Sequence, residues 1–197
     1  MKVVLADYGA GNTRSVCAAL ARAGAEPVIS TVATEIREAP LVVIAGVGHV
    51  ASAARGLAPV EEALRERVAE DRPILGICVG MQLLFEASEE GGSGLGLLAG
   101  AVRRLRARRI PQMGWNELAT TRVSRLLDGI EDADVYFAHS YAVEPAGGVA
   151  IAHVDHEGAV VAAVESGLLA GVQFHPERSG VAGARLLENA LSWSRSA

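Results

Sequence analysis

The sequence predicts an α/β fold: a doubly wound, mostly parallel central sheet with helices on both faces and an antiparallel extension. The first half alternates short apolar runs with helical patterns, which is typical of βαβ units. Polar, glycine-rich loops follow several of these strand patterns. The second half places strand patterns close together, at spacings that favour antiparallel pairing. Together these observations predict a mixed sheet.

Strands and helices alternate through the first third of the chain. Residues 2–6 form an apolar run typical of a strand buried on both faces. Residues 13–23 follow with a helical pattern, and Gly24 is a suitable C-terminal cap. The next elements are strands at residues 27–30 and 41–45 and a helix from about 60 to 69.

Residues 73–82 join a buried strand to a helix through a sharp turn that carries Cys78. We expect this helix to run on through residues 83–85. Gly76 and Gly80 flank the turn as G-x-C-x-G, the thiol version of the G-x-S-x-G nucleophile elbow. Glycine is favoured there because side chains two positions from the turn residue would clash.

The second half predicts strands with turns between them, then a closing helix. No internal repeat, linker or low-complexity segment interrupts the chain, so we expect one domain over residues 1–197. The strands are predicted at residues 101–107, 135–143, 149–154, 159–164 and 168–174, and the helix at 179–193.

Composition and charge argue against several classes of protein. The chain has 197 residues, half of them apolar, which is enough for one large core. Its formal net charge of −5 argues against a nucleic-acid binder. Asp7 interrupts the first apolar run too early for a signal peptide, and the run at 41–50 is too short to span a membrane. We expect a cytoplasmic protein without membrane contact.

Cys78 is the candidate nucleophile. Near a helix N-terminus, unpaired N–H groups and the macrodipole favour the thiolate. The alternative is an ordinary buried cysteine at the end of a core strand. The other cysteine, Cys17, lies in a helical pattern beside Val16 and Leu20 and is interpreted as a core residue. Two cysteines so far apart do not indicate a disulfide framework.

His175 and Glu177 are the candidate base and its orienting group. They follow a strand pattern, and Pro176 favours an extended conformation at His175. Residues two apart in extended structure project to the same side, so the carboxylate can hold one imidazole nitrogen while the other faces Cys78. The alternative is a turn with a solvated acid. The order Cys, His, Glu along the chain argues against that alternative.

The other polar clusters rank lower as functional sites. His49 lies in a loop near the predicted site, His139 alternates with apolar residues, and His153 and His156 form an H-x-x-H pair without convincing further ligands. We therefore expect no metal site. The loop after the first strand lacks the G-x-G-x-x-G spacing of a dinucleotide site, and no cofactor is expected. The arginine-rich run at 103–109 is interpreted as a solvated strand and turn, in preference to a partner-docking patch.

With these motifs the chain resembles the class I (triad) glutamine amidotransferases, and within them the glutaminase subunits of imidazole glycerol phosphate synthase in histidine biosynthesis. The elbow and the His-Pro-Glu segment are shared by many class I glutaminases. The resemblance runs nearly end to end and implies a flavodoxin-like sheet. Its segments are Asp-Tyr-Gly-Ala-Gly-Asn at 7–12, Gly-Val-Gly-His at 46–49, the elbow at 75–82, Pro-Gln-Met-Gly-Trp-Asn at 111–116, His-Ser-Tyr at 139–141 and Gly-Val-Gln-Phe-His-Pro-Glu at 171–177.

The resemblance implies a catalytic triad of Cys78, His175 and Glu177. Cys78 would attack the side-chain amide of L-glutamine, His175 would protonate the departing ammonia, and water would hydrolyse the thioester. The backbone N–H groups of Val79 and, after a peptide flip, Val47 would form the oxyanion hole. The implied substrate-binding positions are Gly48, Gln82, Glu90, Ser140 and Tyr141.

The resemblance also implies a partner, a (β/α)8-barrel cyclase subunit in a heterodimer. Ammonia in water at neutral pH is mostly ammonium, so its delivery must be sheltered. The cyclase would join it to a phosphoribulosyl-formimino aminoimidazole ribonucleotide, giving imidazole glycerol phosphate and an aminoimidazole carboxamide ribotide. The matching interface positions are Asn12, Trp115, Tyr136 and Arg178.

Three positions depart from the family pattern. Arg178 stands where the family usually has lysine, which keeps the charge but changes its geometry. Ala45 replaces the usual proline before Gly-Val-Gly, and Val50 replaces the aromatic residue often found after His49. The last two changes fall in the oxyanion loop and are expected to make it more mobile.

Three alternative functions remain open. The first is a class I glutaminase subunit of another synthase, which the identity of the co-purifying partner would distinguish. The second is a stand-alone cysteine hydrolase of similar topology, which would act without a partner and has no use for Trp115. The third is a non-catalytic regulatory subunit, which labelling of Cys78 by a glutamine-like electrophile would exclude.

Overall fold

The computed structural model describes residues 1–9 and 12–196. Residues 10 and 11 of the loop at 7–12, and residue 197, lie outside the described range. The strands are β1 (Lys2–Ala6), β2 (Glu26–Ser30), β3 (Leu41–Gly46), β4 (Ile74–Cys78), β5 (Phe85–Ser88), β6 (Leu98–Arg104), β7 (Gln112–Glu117), β8 (Ala119–Thr120), β9 (Asp134–His139), β10 (Tyr141–Pro145), β11 (Ala150–Asp155), β12 (Ala159–Ser166) and β13 (Leu169–Val172).

The central sheet has the strand order β2-β1-β3-β4-β13-β12-β11-β8. The first five strands in this order are parallel, and β12, β11 and β8 extend the sheet in antiparallel pairs. β3 and β4 are buried along their whole length, as parallel strands in the middle of a sheet are. The predicted fold class is confirmed.

The helices pack in pairs beside this sheet: α1 contacts α6, α2 contacts α4, and α3 contacts α5. None of them, within the described part of the chain, has the length and apolar character that a bilayer-spanning helix needs. The α-helices are α1 (Thr13–Arg22), α2 (Ala33–Glu38), α3 (Val50–Leu57), α4 (Glu61–Ala69), α5 (Val79–Gln82) and α6 (Gly180–Trp193). Short 3₁₀ turns lie at Ala58–Val60, Arg125–Leu127, Pro176–Arg178 and Ser194–Ser196.

The helix after Cys78 is shorter than predicted. α5 ends at Gln82, and the chain then enters β5 instead of continuing as a helix through residue 85. The backbone carbonyls of Leu83 and Leu84 accept hydrogen bonds from N–H groups at residues 95, 97 and 98. These bonds to residues 95–98 replace the hydrogen bonds that a continuing helix would make. The apolar run at 83–85 contains no sign of them, and the predicted helix was therefore too long.

The predicted strand at 135–143 is also wrong as a single element. It divides at Ser140 into β9 and β10, which pair in two smaller sheets, β7-β9 and β10-β6-β5. The carbonyl of Ser140 accepts a hydrogen bond from the Leu105 N–H at the division. The prediction also lacked α2, α3, β5, β7 and β8.

Arg67 is the largest completely buried side chain among the described residues. It lies on α4 beside the buried Ala63 and Leu64. Burial lowers the pKa of Arg67 to about 10. Its guanidinium donates to carbonyls that the end of α2 leaves unpaired, and to one just before β4, at 2.7–3.0 Å. The acceptors are Ile36, Arg37, Ala39 and Pro73. Arg67 therefore ties α2 to the strand that carries the nucleophile candidate.

Candidate active site

Four candidate segments meet at the carboxyl edge of the central sheet, where doubly wound folds bind ligands. Tyr8 follows β1, Gly46 ends β3, Cys78 ends β4, and His175 lies just past β13. Because β3, β4 and β13 are neighbours, Gly46 lies opposite Cys78, and the base candidate approaches from the other side. The strand order thus brings together residues from distant parts of the chain.

Cys78 has the strained backbone of a nucleophile elbow. Its φ is 55° and its ψ −110°, a region that residues with a side chain rarely adopt. A Cβ on Gly80 would lie 1.7 Å from the carbonyl oxygen of Ile44, and one on Gly76 would lie 2.6 Å from the backbone of Gly80. The turn therefore requires both glycines, for the steric reason that the motif predicts.

Gly80→Ala is expected to destabilise the fold by about 3 kcal/mol, because the added methyl group would overlap the Ile44 carbonyl and force β3 and the elbow apart. Equilibrium unfolding in urea measures the loss. Gly148→Ala is the matched control, since a Cβ there meets nothing within 4 Å, and its effect should stay within about 0.5 kcal/mol. Equal stability of the two variants would contradict the close approach at Gly80.

His175 and Glu177 form a buried pair. His175 Nδ1 lies 2.8 Å from Glu177 Oε1, and the two side chains are only 4% and 1% exposed. A carboxylate accepts hydrogen bonds, so Nδ1 carries the hydrogen and Nε2 is left for another partner. Nε2 is buried and hydrogen-bonds to none of the described residues. The structure thus places the predicted base and its carboxylate together, with one ring nitrogen unused.

The pKa of His175 is raised to about 10. Burial lowers it, because the charged ring loses hydration, but the nearby Cys78 sulfur and the hydrogen-bonded Glu177 carboxylate raise it by more. The ring is therefore protonated at neutral pH. A thiolate paired with an imidazolium is the reactive form of a cysteine nucleophile.

Asn12 reaches the same carboxylate from the start of α1. Its Nδ2 donates to Glu177 Oε1 at 2.6 Å, the oxygen that also contacts His175. Asparagine at an N-cap usually bonds the first turn of its helix, yet Asn12 makes no such side-chain bond. Its amide orients Glu177 instead. The sequence predicted Asn12 only as an interface residue, and its place at the N-cap concealed this second contact.

A cavity of about 290 Å³ opens beside the thiol. All residues expected to bind substrate or form the oxyanion hole line it, so the structure brings these candidates together around Cys78. The lining consists of Val47, Gly48, Cys78, Val79, Gln82, Glu90, Pro111, Met113, Ala138, His139, Ser140 and Tyr141.

Glu90 connects this cavity to the loop at residues 46–50, the expected oxyanion loop. Its Oε2 accepts a hydrogen bond from the Val50 N–H at 3.1 Å and lies 3.6 Å from His49 Nδ1. Val50 is the first residue of α3, where N–H groups lack helical partners. The Glu90 carboxylate therefore anchors the end of the loop that begins at Gly46.

His139 is buried and uncharged. Burial lowers its pKa to about 4. Its Nδ1 lies 2.8 Å from the Tyr141 carbonyl oxygen, which can only accept, so Nδ1 carries the hydrogen.

His156 Nε2 lies 2.7 Å from the Arg109 carbonyl oxygen. Within residues 1–9 and 12–196, no three His, Cys, Asp or Glu side chains gather in a way that would hold a metal ion.

Three of the expected interface residues form one stack next to Glu177. Trp115 and Tyr136 are cross-strand partners on β7 and β9, with ring centroids 6.0 Å apart in an edge-to-face arrangement. The Arg178 guanidinium lies 4.3 Å from the centre of the Tyr136 ring. Trp115 is 55% exposed and Met113, on the same strand, 67%. Large exposed side chains of this kind are typical of protein–protein contacts.

Tyr8 contacts the site in a way that the sequence did not predict. It is buried, and its hydroxyl has no hydrogen-bond partner among the described residues. A Cβ on Gly46 would overlap that hydroxyl, so Tyr8 packs directly beneath the start of the oxyanion loop. Burial, and then the charges of Cys78 and Asp7, raise the pKa of Tyr8 well above its ordinary value.

Gln173 is the second unpredicted contact. Its Nε2 donates to Cys78 Sγ at 3.6 Å. The sequence held one signal for it: Gln173 precedes His175 by two residues, and side chains two apart in extended structure share a side.

Comparison with known proteins gives a consistent picture. Residues 4–192 match the family model of the class-I glutamine amidotransferases. The chain is 46% identical to an imidazole glycerol phosphate synthase subunit HisH of Xylella fastidiosa, over 96% of both chains. It is 44% identical to the HisH subunit of Renibacterium salmoninarum, over 95% of this chain and 92% of that one. It is 39% identical to the HisH subunit of Methanothermobacter thermautotrophicus, over 95% of this chain and 96% of that one.

Solved structures share the fold at lower identity. A structure described as a glutamine amidotransferase superposes with a TM-score of 0.79 at 20% identity, over 98% of both chains. PurLQS from Thermotoga maritima gives the same TM-score at 21% identity, also over 98% of both chains. At such identities the likeness supports the fold alone.

Proposed function

The chain belongs to the class I glutamine amidotransferases and, among them, to the glutaminase subunits of imidazole glycerol phosphate synthase, and on this basis we propose that Cys78, His175 and Glu177 release ammonia from L-glutamine. The observation that carries the proposal is that Cys78 lines the cavity, while the buried His175–Glu177 pair lies at the same edge of the sheet. Every residue expected to bind glutamine lines that cavity. These groups come from the central sheet and from the smaller sheets beside it, and their meeting at one cavity supports a single catalytic domain.

In the first half-reaction the Cys78 thiolate attacks the side-chain carbonyl carbon of glutamine. A C–S bond forms, and the oxygen takes up negative charge that the N–H groups of Val47 and Val79 would hold. When the intermediate collapses, His175 Nε2 donates its proton to the departing nitrogen. The C–N bond breaks, ammonia leaves, and the acyl group remains on sulfur as a thioester.

In the second half-reaction water attacks the thioester. His175, now neutral, takes a proton from the water through Nε2 as the new C–O bond forms. The C–S bond then breaks, glutamate leaves, and the thiolate and imidazolium are restored. Glu177 holds the Nδ1–H through both halves, so that Nε2 keeps facing the reacting atoms, and Asn12 holds the carboxylate.

The ammonia needs a sheltered route, because in bulk water it would become ammonium and lose its nucleophilic lone pair. We therefore propose that a (β/α)8-barrel cyclase docks on the stack of Trp115, Tyr136 and Arg178. It would use the ammonia to make imidazole glycerol phosphate and an aminoimidazole carboxamide ribotide. Met113 supports this placement, because it is exposed near Trp115 and also lines the cavity beside the thiol.

Glutamine hydrolysis is expected to be slow for the isolated chain. It should rise by roughly tenfold or more when the cyclase and its nucleotide substrate are added. Glutamate release measures both rates. A synthetase subunit that accepts ammonia for a different product serves as the control partner, and it should not activate. A rate that is equally high with no partner would instead favour a stand-alone hydrolase.

A further inference from the structure

We propose that Gln173 is a further catalytic residue: its side-chain N–H donates to the Cys78 thiolate, and Gln82 holds it in that orientation. The inference rests on the proposed function, in which Cys78 is the nucleophile. It adds a neutral hydrogen-bond donor to the positive charge that the His175 ring supplies.

The path of the chain just past β13 explains how Gln173 reaches the sulfur. Residues 173 and 174 form a bend that leads into the extended backbone of His175. Phe174 turns into the core, where its ring packs 5.9 Å from that of Phe137. Gln173 points instead toward Cys78 at the end of β4. Gln173 is completely buried, and its Nε2 lies 3.6 Å from Cys78 Sγ.

Hydrogen bonds fix which end of the Gln173 amide faces the sulfur. Gln82 Nε2 donates to the Tyr141 carbonyl oxygen at 2.8 Å and to Gln173 Oε1 at 3.0 Å. A backbone carbonyl can only accept, so the NH₂ group of Gln82 must be the end near Tyr141. Its second hydrogen then requires an acceptor, which is the Gln173 oxygen. The NH₂ group of Gln173 is left for Cys78, and the orientation follows from donors and acceptors alone.

This arrangement gives the thiolate a donor that never loses its proton. His175 gives up its proton when ammonia departs, and its positive charge is then absent until water attacks. The Gln173 N–H keeps its hydrogen throughout. When the thioester breaks and the thiolate forms again, this N–H can donate a hydrogen bond to the sulfur at once. Gln82 lines the substrate cavity, which links this donor to the place where glutamine binds.

Alkylation of Cys78 by iodoacetamide, followed from about pH 5 to 10, tests the proposal because it reports the thiolate directly. A Cys17→Ser background leaves Cys78 as the only cysteine. Gln173→Met keeps the shape and removes the donor, and it should move the midpoint of the pH–rate profile upward by about one unit. Gln173→Glu replaces the donor with a negative charge and should move the midpoint upward by more than Gln173→Met does. For glutamine, kcat should fall about tenfold in Gln173→Met with KM little changed.

Asn189→Leu is the matched control. Asn189 is also a buried amide, but it bonds the carbonyls of Leu126 and Asp128, away from the site. It should lower stability without moving the midpoint. An unchanged midpoint in both Gln173 variants, or an equal shift in Asn189→Leu, would overturn the inference.

The alkylation needs neither glutamine nor a partner, so the two proposals fail separately. A wild-type chain that does not hydrolyse glutamine, even with the cyclase, ends the proposed function. The alkylation profiles of the Gln173 variants would still decide the role of Gln173. Conversely, an active enzyme whose Gln173 variants keep the wild-type profile overturns only the further inference.

Discussion

Cys78→Ala and Cys78→Gly are both expected to abolish glutamine hydrolysis, with a loss in turnover of at least about 10⁴-fold. Without the thiol no thioester forms, and water would have to attack an unactivated amide. Glutamate release with the cyclase present and glutamine in excess measures the loss. Cys17→Ser is the control, because this half-buried thiol on α1 belongs to no part of the site and should leave turnover unchanged.

The same two variants also test the strain at the elbow. Alanine normally gives a more stable protein than glycine inside a fold, by roughly 0.5–1 kcal/mol. At residue 78 the order should reverse, because φ 55° and ψ −110° suit glycine and strain any residue with a Cβ. We expect Cys78→Gly to unfold with a free energy about 1 kcal/mol above that of Cys78→Ala. A more stable alanine variant would contradict the elbow geometry.

Arg67→Met is expected to lower the free energy of unfolding by about 3–5 kcal/mol. The methionine fills much of the same space but leaves the Ile36 and Ala39 carbonyls at the end of α2 without the donor that Arg67 supplies. The Pro73 carbonyl keeps its bond from the Val42 N–H. Equilibrium unfolding in urea measures the change. The free energy of unfolding of Arg67→Lys should lie between those of the wild type and Arg67→Met. An ammonium group keeps the charge but lacks the planar guanidinium that reaches several acceptors.

Arg65→Met is the matched control for Arg67, two residues earlier on the same helix. Arg65 forms an ion pair with Glu61 at 2.7 Å, and its side chain is 44% exposed. Exposed pairs of this kind contribute at most about 0.5 kcal/mol. A similar loss in both variants would show that α4 responds to any change of charge, and that the buried hydrogen bonds of Arg67 are not responsible.

The parallel half of the fold is the part that sequence patterns predict best. β1 coincides with the apolar run at 2–6, and β3 extends the predicted run at 41–45 by one residue. A strand buried on both faces shows itself as an uninterrupted apolar segment, whatever its neighbours are. The family assignment is confirmed as well, because it rests on motifs whose residue types the chemistry dictates.

The features that depend on distant partners could not be predicted in the same way. α5 stops early because the carbonyls of Leu83 and Leu84 bond to a segment beyond a glycine-rich loop. The contacts Asn12–Glu177 and Gln173–Cys78 join side chains from separate elements, and spacing along the chain does not specify such meetings. Arg67 left only a weak trace, an arginine at an apolar position of α4.

The position of β13 also has a consequence for newly made chains. It is the last strand of the described chain, yet it lies in the middle of the sheet, between β4 and β12. At a synthesis rate of about 5–20 residues per second, Cys78 leaves the ribosome roughly 5–20 s before His175. During that interval β4 has an open edge, and the Cys78 thiol lacks both its proposed base and the proposed Gln173 donor. Insertion of β13 would close the sheet and complete the proposed site together, so we expect an unfinished chain not to consume glutamine.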